Sequence, residues 1–330
     1  MARIRPAASE LCFDEESERV VEVASIEEVL ENAGGLGITA EPYAGRFGWG
    51  TLIRLNGKPT LLTDVDHAAV QGAMAAKRCA RYRRRILDIS QRVSALHIAP
   101  AFSCLEITDY VYSALMRPAD VFLMSKGHGC IAQYAVLEDR GVIPREEMDR
   151  YCTTAGTLGA HPDRGTPGIV ASTGSLGHGL GLAVGMAYAA RIKGEDCNVY
   201  VVMSDGELQE GSTWEAVQMA ANLGLTNLAV FVDLNDFGGL ERLSEAHPAV
   251  YPIAEKFGAF GWEARRANGH ELASLQSALA GRCGGLPFAV VCGTVKGKGV
   301  SYMENAPIWH YRSPNAEEYR QALRELEANA

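Results

Sequence analysis

Three stretches of the chain are apolar almost without interruption: Asn198–Ser204 (Asn-Val-Tyr-Val-Val-Met-Ser), Leu228–Leu234 and Phe288–Val295. Runs of this length that never alternate with polar residues predict strands buried on both faces. Between and around them lie segments with helical spacing: Gly174–Ile192, Gly211–Leu223, Ala249–Phe257 and Ser274–Ala280. Buried strands alternating with helices predict an α/β fold, a parallel sheet flanked by helices on both faces. Residues 1–65 follow another pattern. Short runs at Arg19–Ala24, Gly37–Tyr43, Thr51–Leu55 and Pro59–Thr63 are separated by the turn signals Gly34-Gly35 and Asn56-Gly57. Asn-Gly between two short apolar runs predicts a hairpin. Asp64 then reads as the N-cap of a long helix that runs to about Val93. The chain therefore divides into a small N-terminal extension of short strands and turns, 1–65, and a main domain, 66–330.

Composition narrows the function classes. The 330 residues are 47% hydrophobic and 22% charged, enough to bury a core unaided, with a net charge of -9. That balance argues against a nucleic-acid partner, which needs a basic face. The basic run Arg81-Tyr82-Arg83-Arg84-Arg85 reads as a solvated helix face. Eight cysteines (Cys12, Cys79, Cys104, Cys130, Cys152, Cys197, Cys283, Cys292) form no CxxC pair, the pattern of small core residues in a reducing compartment. The N-terminus shows no secretory h-region, and no run reaches membrane-spanning length. A cytoplasmic protein without a membrane or nucleic-acid partner is expected.

Candidate chemistry begins at Ser204-Asp205-Gly206-Glu207, followed thirty positions after Asp205 by Asn235. Each ends a predicted strand, and the segment between suffices for one helical crossover. Both side chains thus fall on the carboxyl edge of adjacent parallel strands, where ligands bind in open sheets. A carboxylate, an amide oxygen and a backbone carbonyl suit magnesium, which completes its shell with phosphate and water. Gly206 lets a phosphate approach the backbone. On spacing alone, the pair could equally be a helix cap and a turn residue.

A longer resemblance bears on that choice. His161-Pro-Asp-Arg-Gly-Thr-Pro-Gly, Ala171-Ser-Thr-Gly-Ser-Leu-Gly-His-Gly-Leu, Asp205-Gly-Glu-Leu-Gln-Glu-Gly, Thr294-Val-Lys-Gly-Lys-Gly-Val and Ser301-Tyr-Met-Glu-Asn-Ala-Pro-Ile-Trp-His occur in order. Together they resemble the N-terminal half of transketolases, over about Ser94 to Leu326. The resemblance implies a thiamine diphosphate-binding fold, in its diphosphate-binding domain. It implies that Asp205, Asn235 and the carbonyl of Phe237 hold Mg2+, or another divalent cation such as Ca2+. Gly174, Ser175, Leu176, Gly206, Glu207, His128 and Lys296 would contact the cofactor, with Lys296 also readable as a solvated charge. His97, His128, His161 and His310 fall on the family's active-site histidines, able to hold a ketose donor's hydroxyls and to move protons. Glu210 matches a glutamate at the family's interface between halves, or is a first-turn carboxylate favoured by the helix dipole. His178 lies in a loop that contacts the cofactor in the family. His247 and His270 match nothing and read as satisfied residues.

The family's pyrimidine-binding domain has no counterpart in this chain. The resemblance therefore implies the N-terminal subunit of a split transketolase, paired with a C-terminal subunit that carries that domain, in an α2β2 assembly. A two-carbon ketol unit would pass from a ketose or ketose phosphate donor to an aldehyde acceptor. Ser204 replaces a usual glycine, and Ala95-Leu96-His97-Ile98-Ala99 lacks two more. Asp236-Phe237-Gly238-Gly239 follows Asn235 where the family has Gln-Ile, and Tyr311 follows His310 in place of glycine. These changes put the usual sugar-phosphate substrates in doubt. Two alternatives remain: half of a related thiamine diphosphate enzyme acting on a 2-oxo acid, and a non-catalytic scaffold.

Overall fold

The computed structural model describes the backbone of residues 10–14, 19–23, 39–45, 48–55, 58–63, 67–93 and 96–328, with side chains from Ala68 onward apart from Ala69. The chain divides into two compact units, residues 1–78 and 79–330.

The first unit contains β1 (Glu10–Asp14) and β2 (Arg19–Val23), paired antiparallel. It also contains an antiparallel meander of β3 (Thr39–Gly45), β4 (Gly48–Leu55) and β5 (Lys58–Thr63). Leu55 pairs with Lys58, as a two-residue hairpin requires. β1 was not expected, since Glu10–Asp14 carries no clear alternation. Gly34-Gly35, Asn56-Gly57 and Asp64 lie outside the described residues. The helix expected to follow Asp64 spans His67–Ser90.

The second unit is built on a five-stranded parallel sheet. Its strands are β6 (Val121–Met124), β7 (Val199–Ser204), β8 (Leu228–Leu234), β11 (Glu263–Asn268) and β12 (Phe288–Gly293), in the order β11-β12-β8-β7-β6. Two-residue strands β9 (Phe237–Gly238) and β10 (Glu241–Arg242) form a separate ribbon. The three unbroken apolar runs are the three central strands of the parallel sheet. Their side chains alternate between two cores. Tyr200, Val202, Ala229, Phe231, Phe288 and Val290 face one layer, with helices Ile98–Tyr110, Cys130–Asp139, Leu272–Leu279 and Ala316–Ala328. Val199, Val201, Met203, Val230, Val232 and Ala289 face the other, with helices Gly179–Lys193, Gly211–Asn222 and Ile253–Ala259. With both faces covered, no position along these strands can be polar without a partner, which is why the pattern never alternates.

Several expectations need correction. The Gly174–Ile192 helix begins only at Gly179. Gly174 and Gly177 have φ of +148° and +81°, outside helical space, so residues 174–178 form a loop. The Ala249–Phe257 helix is a 3-10 turn at Pro248–Val250 followed by a helix from Ile253. The two sheet edges, β6 and β11, were not expected from the hydrophobic pattern. β6 has four residues, and β11 reads Glu-Ala-Arg-Arg-Ala-Asn because an edge strand is only half covered.

The basic run is not a solvated face. Tyr82 and Arg83 are buried. Arg81 pairs with Asp139, Arg83 with Glu106, and Arg85 with Glu138 and Asp149. Arg84 alone of the four is mostly exposed, though it reaches Glu327. The arginines instead dock their helix onto the rest of the second unit through carboxylates far away in sequence. Among the described residues Cys104, Cys130, Cys152, Cys197, Cys283 and Cys292 form no disulfide, and no helix is long and apolar enough to cross a membrane.

Candidate active site

All five strands of the sheet are parallel, so their carboxyl ends share one edge. Ser125–His128 follow β6, Asp205–Glu207 follow β7, Asn235–Phe237 follow β8 and Thr294–Lys296 follow β12. A cleft of about 350 Å³ opens there, lined by His128, Leu176, Gly206, Asn235, Phe237, Lys296 and His310 among others.

Asp205 is fully buried. Its Oδ1 accepts from Gly206 N at 2.8 Å and its Oδ2 from Asp236 N at 2.6 Å. Burial, reinforced by the nearby Asp233 charge, pushes its carboxyl up to about 7. Asn235 donates through Nδ2 to Asp233 at 3.2 Å and Ser103 at 3.3 Å, which turns its Oδ1 the other way. That oxygen accepts from Phe237 N at 3.1 Å and keeps a second lone pair. The Phe237 carbonyl faces Gly206, where an added Cβ would lie 3.8 Å from it. Asp236 makes this turn with φ +66°, and its carboxylate is tied down by Ser244, Tyr251 and Arg242. The donor set fits one hard divalent cation: a carboxylate in need of a counter-charge, an amide oxygen and a carbonyl, beside space that glycine keeps open. Among the described residues no group of three or more His, Cys, Asp or Glu could hold a metal. A cation at this edge would therefore rest on one carboxylate and neutral oxygens, leaving charge for phosphate to neutralise.

Beneath this edge lies an ion pair that was not expected from the sequence motifs. Lys126 Nζ donates to Asp233 and to Pro100 O at 2.9 Å, and both side chains are wholly buried. Asp233 also accepts from Ser103 at 2.6 Å and from Thr294. Burial alone would lower the Lys126 ammonium, but Asp233, helped by Cys104 and Asp205, holds the group above its ordinary value. The signal was present: Asp233 interrupts a strand otherwise apolar throughout, and a carboxylate so placed demands a cation.

Glu207 does not line the cleft. It lies buried behind it, where Oε1 accepts from Ser125 Oγ and, at 2.9 Å, from Gly177 N. It thereby ties the 174–178 loop to the ends of β6 and β7. Within that loop Gly174 lies against the His161 ring, 3.0 Å from where its Cβ would be, Leu176 lines the cleft and Ser175 is exposed. Exposed His178 bonds Leu176 O at 3.1 Å through Nδ1. Glu210 is exposed at the rim and touches Gly177.

Four histidines cluster beside the cleft, and two of them, His128 and His310, line it. His97 is central, with ring centroids 5.8, 5.7 and 5.5 Å from His128, His161 and His310, and 4.5 Å from Tyr311. His128 and His310 are 5.5 Å apart. Burial lowers His97 to about 4, helped by His161 and two lysines, and lowers His310 to about 3, helped by Lys296. His128 is lowered well below its ordinary value by burial and Lys126. These three rings are neutral at pH 7, each with one donor and one acceptor nitrogen. Lys296 Nζ contacts His310 Nδ1 at 2.9 Å and Gly239 O at 2.7 Å. With Nδ1 accepting, the His310 proton resides on Nε2. Burial and the Lys126 charge lower the Lys296 ammonium to about 8. His247 is exposed, whereas His270 is satisfied on both nitrogens, by Glu106 and by Val295 N. Leu96 and Ala99, which stand at the two substituted glycine positions, are buried; Ala95 lies outside the described residues.

Known proteins share this architecture. The family model "Transketolase, thiamine diphosphate binding domain" matches residues 108–329. The chain is 36% identical over 255 residues to an apulose-4-phosphate transketolase subunit of Phocaeicola vulgatus, covering 74% of this chain and 90% of that one. It is 33% identical over 257 residues to a 6-deoxy-6-sulfo-D-fructose transketolase subunit of a Clostridium species (strain MSTE9), covering 74% and 93%. Among solved structures, transketolase from Leishmania mexicana matches with a TM-score of 0.72 at 27% identity. That match covers 77% of this chain and 41% of that chain, so this chain spans less than half of that enzyme.

Proposed function

Because the chain belongs to the transketolase family, matching its thiamine diphosphate-binding domain, we propose that it is the diphosphate-binding subunit of a two-chain transketolase. The enzyme transfers a two-carbon ketol unit from a ketose or ketose phosphate to an aldehyde. The observation that carries this reading is the meeting, across one cleft, of the Asp205–Asn235 oxygen pair with four clustered histidines. Its relatives, too, are named as transketolase subunits, which fits an enzyme divided between two chains.

Asp205, Asn235 and the Phe237 carbonyl would hold Mg2+, or another divalent cation, against the cofactor's diphosphate. The Gly174–Leu176 loop, Gly206 and Lys296 would flank it. When bound, thiamine diphosphate supplies the thiazolium carbon at which the carbon–carbon bond is made and broken. The chain's own residues orient the donor and handle protons. His97, His128, His161 and His310 hold its hydroxyl and carbonyl oxygens, and the low local basicity of three of them keeps lone pairs free at neutral pH. His310 Nε2–H can donate to an oxygen that gains charge, while Lys296 fixes the ring through Nδ1. The naming of the relatives as subunits supports a partner chain; in our reading it is a C-terminal subunit that carries the pyrimidine-binding domain, in an α2β2 assembly with Glu210 at the junction. The scattered cysteines, none in a CxxC pair, support a cytoplasmic setting.

The test is capture followed by reconstitution. Tagged chain is drawn from its native lysate with magnesium and thiamine diphosphate, and the complex is screened for ketol transfer from ketoses of different length. A stoichiometric partner with a pyrimidine-binding domain and transfer that chelation abolishes is the expected result. A complex that binds no thiamine diphosphate at saturating magnesium would overturn the reading.

A further inference from the structure

Three buried ionisable side chains stand outside the cleft and lead into it. Arg83 Nη1 pairs with Glu106 Oε1 at 2.6 Å, and Arg83 Nη2 donates to Phe102 O at 3.2 Å. Glu106 Oε2 meets His270 Nδ1 at 2.9 Å, and His270 Nε2 accepts from Val295 N at 2.8 Å. Accepting a backbone N–H leaves Nε2 without a proton, so Nδ1 carries it and donates to Glu106. The side chains are 7%, 15% and 10% exposed, so little water is available to replace any link.

The far end of this chain of contacts is the Thr294–Val295 peptide, one residue before Lys296, whose ammonium touches His310 and Gly239. Its near end is the helix Ile98–Tyr110, which carries Phe102 and Glu106 and starts beside His97. The same helix meets the turn directly, where Gly297 N donates to Ala99 O at 3.0 Å. We propose that Arg83, Glu106 and His270 form a buried relay that sets the Thr294–Val295 peptide, one residue before Lys296, against the His97 helix, with His270 as the positioning residue for Lys296. A satisfied histidine could serve packing alone, but packing does not require both ring nitrogens to be matched, one to a carboxylate and one to a backbone N–H. The carboxylate keeps its charge: burial works to raise Glu106, yet Arg83 and the His270 hydrogen bond together outweigh it and hold the group at about 2. The ring therefore keeps one tautomer, with its acceptor always turned to Val295.

The relay stands on contacts within the chain; only its consequence for ligand binding rests on the proposed function. The test compares His270→Gln with His270→Asn. The glutamine amide reaches the place of Nε2 and can still accept from Val295, whereas the asparagine amide stops at the place of Nδ1 and serves Glu106 alone. Hydrogen exchange is followed by mass spectrometry in peptides covering 294–300 of the full chain. Thiamine diphosphate affinity with Mg2+ is measured in the assembled complex. The asparagine variant should exchange on the order of tenfold faster in that segment while the glutamine variant stays near wild type. Cofactor affinity should follow the same order, falling about tenfold only with asparagine. Equal exchange in the two variants, whether fast or slow, overturns the relay. A wild-type complex that binds no thiamine diphosphate would sink the functional reading, and the exchange data would still decide the relay.

Discussion

Asp205→Asn should make the cation-free chain more stable at alkaline pH, the reverse of what removing a bonded, buried residue ordinarily does. In the folded chain the carboxyl titrates at about 7, against an ordinary 3.8. The gap, 7 minus 3.8, is roughly 3 pH units, so ionising it in place costs about 4 kcal/mol at pH 8 relative to the unfolded chain. The sign follows from proton count: the folded state holds this proton more tightly, so stability falls as pH rises from about 4 to 7. Asparagine carries no charge. It keeps an oxygen for one of the two N–H donors, Gly206 or Asp236, and sets an NH₂ against the other, at a cost of about 1–3 kcal/mol. The net gain at pH 8 is then about 1–3 kcal/mol. The sharper quantity is the change between pH 8 and pH 5, because the fixed cost of the lost bond cancels. Over that range the variant's advantage should shrink by about 2–3 kcal/mol. Urea unfolding of both chains in chelator, at each pH, measures it. Magnesium with thiamine diphosphate at a hundred times Kd should then stabilise the wild type alone, by about 2.7 kcal/mol. A stability difference independent of pH would refute the argument that Asp205 is a buried charge awaiting a cation.

Three further outcomes follow from the same edge of the sheet. Lys126→Met leaves Asp233 buried without its cation and should cost about 3–5 kcal/mol in urea unfolding; a loss below about 1 kcal/mol would mean that the hydroxyl and amide donors suffice. Gly177→Ala places a methyl 2.5 Å from the Glu210 Cβ at φ +81°, so the loop must shift. Thiamine diphosphate affinity should fall at least tenfold while overall stability drops by about 1–2 kcal/mol, as calorimetry and melting of the complex would read. Cation affinity in the absence of cofactor should fall about tenfold for each pH unit below 7, as protons compete for Asp205. His97 and His310, lowered to about 4 and 3, should add no step above pH 5. A flat cation titration from pH 8 to 5.5 would contradict this.

The central sheet was legible because burial on both faces leaves no room for unpartnered polar residues, and the runs at Asn198–Ser204, Leu228–Leu234 and Phe288–Val295 hold one charged residue, Asp233. The edges were not, since β6 is too short to show a pattern and β11 is half exposed. Gly174–Ile192 misled for a different reason: small residues support a helix and a tight loop alike, and the positive φ at Gly174 and Gly177 follows from contacts with His161 and Glu210 that local sequence does not contain. The same distinction separates the candidate site residues from what supports them. Asp205, Asn235 and the four histidines sit in short motifs. Lys126, Glu207 and His270 act through partners 107, 82 and 164 positions away. Yet one of these distant pairs announced itself. Asp233 breaks the rule that makes its strand recognisable, and the simplest reason for a carboxylate there is a cation held by the fold beneath the functional edge. An exception inside an otherwise strict burial pattern therefore points to a site's foundation, much as a motif points to its surface. Arg83 is the helical counterpart: within a basic run that looked solvated, one guanidinium is buried because it begins the chain of contacts that ends at Lys296.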